Sequence, residues 1–292
     1  MDLIYRAKKP ETIKRFLLEN NIPLKLVKSE EGKMMLFVNN DLKTKDDTMK
    51  KGDTIKIRIQ DEKPESDIIP EDIPLDILFE DEYFLVVNKP SDMQVMISKT
   101  HPTGTLANAL AFYYKKNGLG SQIHFINRLD KETSGLMLVA KNRFLKFLFS
   151  DRTDNSITNE YLAVVQGLMD IKRFCIELPI SRSEGSIKRE VSETGDECKT
   201  SYQVEREFDG FSLVRILSET GRTHQIRVHF SYFNYPIVGD LLYNKNRYPV
   251  KDMLLYSNLI RFRHPIKDQD VEVRLPASEE IRAFMKMHGA LI

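Results

Sequence analysis

No run of 18 or more apolar residues occurs in the 292-residue chain, which excludes a membrane-spanning helix of ordinary length. The first ten residues, Met1 to Pro10, alternate charged and apolar groups and lack the apolar core of a secretion signal, so the cytoplasm is the expected location. Cysteine is scarce. Cys175 and Cys198 form no CxxC pair and no disulfide framework, and two free thiols in a reducing compartment are the expectation. Metal-binding spacing is missing too. His224 and His229 are five residues apart, about 140° on a helix, whereas a paired-histidine site prefers a spacing of four. No metal site is expected. Internal repeats and low-complexity tracts are also absent.

What the chain does contain is 41% apolar residues, enough for a sizeable core, and a net charge of +1 that conceals a pattern. Residues 1–65 carry 15 bases and 12 acids; residues 66–82 carry seven acids and no base; residues 83–292 carry 29 bases and 24 acids. An acidic connector thus separates two mildly basic bodies, a distribution that permits a polyanionic partner without requiring one. The connector holds Pro64, Pro70 and Pro74 and reads as an extended spacer. The expected organisation is a small unit at 1–63, a linker at 64–76 and a large domain at 77–292.

In the small unit, Ile13, Phe16 and Leu17 recur at helical spacing, and Leu24, Leu26 and Val27 suggest a second short helix after Pro23. Met34 to Val38 and Thr54 to Ile59 read as strands. In the large body, Tyr83 to Val87 is a continuous apolar run and so a buried strand. Thr105 is placed to cap a helix carrying Leu106, Ala109, Leu110, Tyr113 and Tyr114. Ile123 to Leu129 and Leu136 to Ala140 read as strands around the polar turn 130–135, and Asn142 as the cap of a short helix. Tyr161 to Val165 and Phe211 to Leu217 read as strands. Residues 181–200, poor in apolar groups, read as a mobile loop. Thr223 is the expected cap of a helix bearing Ile226, Phe230 and Phe233. Strands and helices intermix without βαβ alternation, which favours an α+β fold.

Taken singly, Asp130 is an ordinary turn residue and Arg222 an ordinary anion-binding candidate at a helix mouth. Together the segments resemble one family. Asn127-Arg128-Leu129-Asp130-Lys131-Glu132-Thr133-Ser134-Gly135-Leu136 is similar to the HRLDxxTSGL signature of the RluA-type pseudouridine synthases. Gly221 to His229 matches that family's GRTHQIRVH block. Tyr161 to Gly167 matches its YxAxVxG strand, and Pro236-Ile237-Val238-Gly239-Asp240 with Tyr243 its PIxGDxxY segment. Four motifs in family order span roughly residues 76–275.

The resemblance implies an enzyme that isomerises uridine to pseudouridine in structured RNA (rRNA or tRNA). The implied fold has a central, mostly antiparallel mixed sheet with flanking helices. It implies Asp130 as nucleophile, Arg222 paired with its carboxylate, and Tyr161 against the target uracil. It also implies that Arg128, Thr133, His224, Gln225 and Arg227 meet the RNA. The chemistry is redox-neutral and implies no cofactor; a monomer is expected. A carboxylate can trap or stabilise the ribose fragment, a nearby guanidinium favours its ionised form, and the uridine must be flipped out to reach it. Residues 1–63 resemble an S4-like RNA-binding module through Lys14 to Leu18, Phe37 to Asn40 and Gly52 to Ile55, although only Lys25 and Lys28 stand in for its basic second helix.

The sequence departs from the family at Asn127 (usually His), at Ser91-Asp92 after Lys89-Pro90 (usually KPxG), at Asn159 (often Lys) and at Leu255-Tyr256-Ser257 (usually LHA). These positions bear on substrate choice and turnover. Two rival readings are a slow or inactive RNA-binding or RNA-folding factor on the same fold, and an unrelated hydrolase using Asp130 as a base. The second requires a partnering histidine or ligand set that the sequence does not display.

Overall fold

The computed structural model describes the chain outside positions 21, 23, 28–33, 61–66, 121, 151–156 and 291–292. It begins with β1 (Asp2–Arg6), β2 (Glu11–Thr12), α1 (Ile13–Glu19), a single 3-10 turn at Leu24–Val27, then β3 (Met34–Val38), β4 (Asp41–Lys43), β5 (Thr48–Met49) and β6 (Thr54–Ile59). β1, β6, β3 and β4 form an antiparallel sheet in that order, and β2 pairs with β5. One element is new here and one expectation is corrected. The chain opens with a strand, because Leu3 buries between exposed Asp2 and Ile4 at the period of two. The expected second helix is one 3-10 turn, since four residues are too few to repay helix nucleation. Thr12 caps α1 by accepting from the Arg15 amide.

The connector is described from residue 67 onward. Ile68 is buried against the helix that follows, the Ile69 carbonyl accepts from Asn108 Nδ2 at 2.8 Å, and Glu71 Oε2 accepts from the Gly104 amide at 2.6 Å.

The large body contains β7 (Asp76–Glu80), β8 (Phe84–Lys89), α2 (Leu106–Lys116), β9 (His124–Phe125), β10 (Ser134–Ala140), α3 (Arg143–Ser150), β11 (Thr158–Gln166), β12 (Arg173–Ile176), β13 (Ile180–Arg182), β14 (Arg189–Val191), β15 (Thr200–Phe208), β16 (Phe211–Ser218), α4 (Gln225–Tyr232), β17 (Leu255–His264), β18 (Gln269–Arg274) and α5 (Glu279–Met287). Ten strands make one mixed sheet with the path β12-β15-β16-β11-β17-β10-β8-β7, β9 pairing β10 and β18 pairing β17. Among the described residues its pairs are antiparallel except β10 with β17. The architecture is the α+β arrangement with a mostly antiparallel mixed sheet.

Both faces of the sheet are covered, which explains the continuous apolar runs. On β8, Leu85 and Val87 pack with α2 and α4, while Phe84 and Val86 join a cluster shared with α3 and the N-terminal unit. On β11, Tyr161, Ala163 and Val165 face α2 and α4, while Leu162 and Val164 face α5. The cap of α2 is a full capping box between Thr105 and Asn108. Asn142 accepts from the Leu145 amide in the first turn of α3.

Two further expectations are corrected. Of Ile123 to Leu129, only His124–Phe125 pairs as strand; the rest is loop. Residues 180–191 form the hairpin β13–β14 instead of a mobile loop, because Ile180 and Cys198 bury against Val228 of α4 and the Arg189 amide donates to the Tyr243 hydroxyl. Among the described residues no helix is long and apolar enough to cross a membrane.

Candidate active site

The end of β8 clamps the loop that carries Asp130. The Lys89 side chain is fully buried, and its ammonium donates to three carbonyls: Pro90 at 2.8 Å, Met93 at 2.9 Å and Lys131 at 3.0 Å. Burial pushes the Lys89 pKa down to about 8, although Glu132, Asp130 and Asp92 pull it the other way. Ser91 Oγ donates to the Glu132 carbonyl at 3.0 Å, and the Thr133 amide closes the turn onto the Asp130 carbonyl at 3.2 Å. Sequence reading named Lys89 only as part of a motif. Its three acceptors come from two separate segments, which the sequence does not place together.

Asp130 opens into a cleft of about 1330 Å³ whose lining includes Arg128, Glu132, Asn159, Tyr161, Thr223 and His224. Tyr161 projects from β11 and is almost fully buried; burial first, then the charge of Asp130, raises its phenol above the ordinary tyrosine value. Arg128 is exposed on the cleft wall.

The guanidinium beside Asp130 belongs to Arg227. Its Nη1 lies 3.4 Å from Asp130 Oδ2 and 3.1 Å from Glu132 Oε2, and its Nε and Nη2 form a two-pronged pair with buried Asp240 at 2.7 and 2.9 Å. Burial opposes the Arg227 charge, but the Asp240 hydrogen bonds and the three nearby carboxylates outweigh it and raise its pKa. The expected Asp130–Arg222 pair is corrected. Arg222 lines the same cleft region, yet it is exposed and its Nε donates to the Glu197 carbonyl at 3.4 Å.

The local backbone accounts for this. His224, not Thr223, is the N-cap of α4, in a left-handed conformation (φ 57°) with no side-chain cap bond. Gln225 holds the turn in place of a cap. Its Oε1 accepts from the Arg222 amide and Thr220 Oγ1, and its Nε2 donates to the Lys199 carbonyl and Thr200 Oγ1. Gln225, Thr133 and Arg227 were expected to meet RNA. They are 4%, 3% and 2% exposed and border the recess at Asp130, where Arg227 meets the carboxylate and Gln225 bonds to neighbouring protein groups. His229 is likewise internal, between Thr200 Oγ1 and the Leu178 carbonyl. His224 faces Asp130, with Nε2 4.0 Å from Oδ2.

The sequence profile for RNA pseudouridylate synthase matches residues 83–232. The chain is 34% identical over 278 residues to the Bacillus subtilis protein named as RNA pseudouridine synthase YjbO, covering 94% of this chain and 98% of that one. It is 34% identical over 279 residues to ribosomal large subunit pseudouridine synthase D of Vibrio parahaemolyticus, covering 87% and 82%. Among solved structures, human RNA pseudouridylate synthase domain containing 1 aligns with a TM-score of 0.57 and 28% identity over 70% of this chain and 83% of that one. The chain belongs to the RNA pseudouridylate synthase family.

It is an RNA-directed isomerase of the RluA type, and its departures from the family motifs acquire physical explanations. Asn127 and Asn159, replacing His and Lys, hydrogen-bond to each other at 3.2 Å, and Asn127 also accepts from the Leu138 amide at 2.8 Å. Asp92 stands where the motif has glycine and adopts a left-handed backbone (φ 58°), which Asp tolerates better than most residues; its carboxylate meets Lys131 at 2.9 Å. Ser257 is buried with Oγ donating to the Leu136 carbonyl at 3.2 Å, and Tyr256 turns to the α5 side of the sheet.

Proposed function

We propose that this RNA pseudouridine synthase acts through the Asp130 carboxylate on a uridine flipped out of structured RNA. The observation that carries the reading is a carboxylate in a cleft between Arg128 and Tyr161, with a buried guanidinium at its side. The Asp130 oxygen bonds ribose C1′ as the bond from C1′ to uracil N1 breaks, and its electron pair stays on the base. The freed base turns, C5 bonds C1′, and the carboxylate leaves. C5 then loses its proton and N1 gains one, so atoms and charge balance with no redox partner.

Tyr161 keeps its phenolic proton at neutral pH, so it meets the uracil as a ring face and a hydrogen-bond donor. Arg128 is exposed on the wall and is the proposed contact to the RNA around the flipped base. Ribosomal RNA is the favoured substrate class, because relatives that align over most of this chain are named for the large ribosomal subunit. Residues 1–63 are proposed to add RNA affinity as an S4-like unit.

The test is tritium release from C5-labelled uridine in transcribed rRNA. Asp130→Asn preserves shape and removes the anion, so release should stop while RNA binding persists. Release at the parental rate from a folded Asp130→Asn protein would falsify the proposal.

A further inference from the structure

Two donors converge on one oxygen of Asp130. Arg227 Nη1 is 3.4 Å from Oδ2, and His224 Nε2 is 4.0 Å from the same atom. No described side chain or amide donates to Oδ1. The identity of the proton on His224 follows from its other ring nitrogen. Nδ1 lies 2.9 Å from the Tyr243 hydroxyl, and that hydroxyl accepts the Arg189 amide proton at 2.7 Å. A phenol has one proton to give, and among the described residues the neighbour placed to accept it is Nδ1. That donation would put the ring proton on Nε2, on the side of Asp130.

We infer that His224 is a positioning residue for Asp130: Tyr243 locks it as the neutral Nε2–H tautomer, and with Arg227 it engages Oδ2 so that Oδ1 is the oxygen presented to the ribose. This rests on the reading of Asp130 given above.

Two further observations agree. A non-glycine residue in a left-handed backbone is strained, and His224 holds that conformation at the mouth of the cleft. The groups around its ring are Asp130 and Glu132 from the loop before β10, Arg227 from its own helix, and Asp240 and Tyr243 from the segment after α4. Burial first, with Arg227 adding to it and the carboxylates opposing, lowers the His224 pKa and favours the neutral ring. The present 4.0 Å separation is longer than a hydrogen bond, as is common before substrate tightens a site.

The experiment has two arms on the full chain. The first is single-turnover tritium release with two variants. His224→Asn tolerates the left-handed backbone but places its amide near the Nδ1 position, out of reach of Asp130; His224→Gln extends an N–H toward the Nε2 position. His224→Asn should slow release about 10- to 100-fold, the worth of one hydrogen bond to a charged group, with RNA affinity unchanged. His224→Gln should recover most of that loss.

The second arm is ¹⁵N histidine NMR of the parent and of Tyr243→Phe. The parent should show a neutral Nε2–H ring at pH 7. Tyr243→Phe should show mixed tautomers and a new inflection in the pH–rate profile between about pH 6 and 7.5. A parental Nδ1–H or cationic ring overturns the inference even if the variants fail to fold. So does parental speed in His224→Asn while Asp130→Asn is dead. Activity in Asp130→Asn instead removes the reading beneath it.

Discussion

Arg227 is buried beside three carboxylates, those of Asp240, Glu132 and Asp130. Its pair with Asp240 is fully desolvated, and breaking such a pair costs about 3–5 kcal/mol because one charge is left buried alone. Arg227→Met should therefore lower unfolding free energy in urea by about that amount as well as stop turnover. Arg227→Lys should keep the charge but lose the two-pronged geometry, with an intermediate stability loss.

Lys89 gives a prediction in pH. The unfolded lysine holds its proton to about 10.5 and the folded one to about 8. Between these values the unfolded chain binds more protons, so this group's contribution to stability rises with pH, is complete above 10.5 and is lost as pH falls through 8. The stability difference between the parent and Lys89→Met, measured in urea, should grow from pH 8 to 10.5; a flat difference refutes it. Asp130, Tyr161 and the cleft they share were legible as motif residues. That Arg227 takes the place expected for Arg222 was not, because it depends on the left-handed turn at His224, and no spacing rule announces φ at a histidine.

At the scale of elements, β10 depends on a glycine. Gly135 has φ 111°, and a Cβ there would run into the Ser257 backbone across the β10–β17 pairing. Gly135→Ala should cost about 3–4 kcal/mol and cut activity steeply, since the strained position ends the loop holding Asp130. A change under about 1 kcal/mol by thermal melting would contradict this. The strands and capped helices of the large domain were readable because apolar periodicity and Thr105 or Asn142 caps are local signals. The β13–β14 hairpin was not. Its order comes from Ile180, Cys198 and the Tyr243 hydroxyl, which are distant in sequence, and its own residues are as polar as those of a free loop.

Across the whole molecule, the N-terminal unit and the large body share one apolar cluster that runs from Leu3, Leu17 and Ile57 to Phe84, Leu145 and Phe262. The charge split in the sequence suggested two bodies, but that shared cluster required side-chain positions. Deleting residues 1–63 should lower the melting temperature by at least about 5 °C, a loss of roughly 2 kcal/mol, besides weakening RNA binding. An unchanged melting temperature would show that the shared cluster contributes nothing. RNA affinity of the intact chain should fall at least about tenfold between roughly 50 and 200 mM salt as phosphate contacts release counterions.

The placement of β17 also sets a clock. It lies between β11, which carries Tyr161, and β10, which follows Asp130, yet it is made some ninety residues after β11. Until Leu255–His264 has left the ribosome, the two halves of the cleft have no strand to join them. Such long-range pairing is slow to form, so the cleft should stay unassembled until β17 pairs with both neighbours. Assembly of the cleft waits on Leu255–His264.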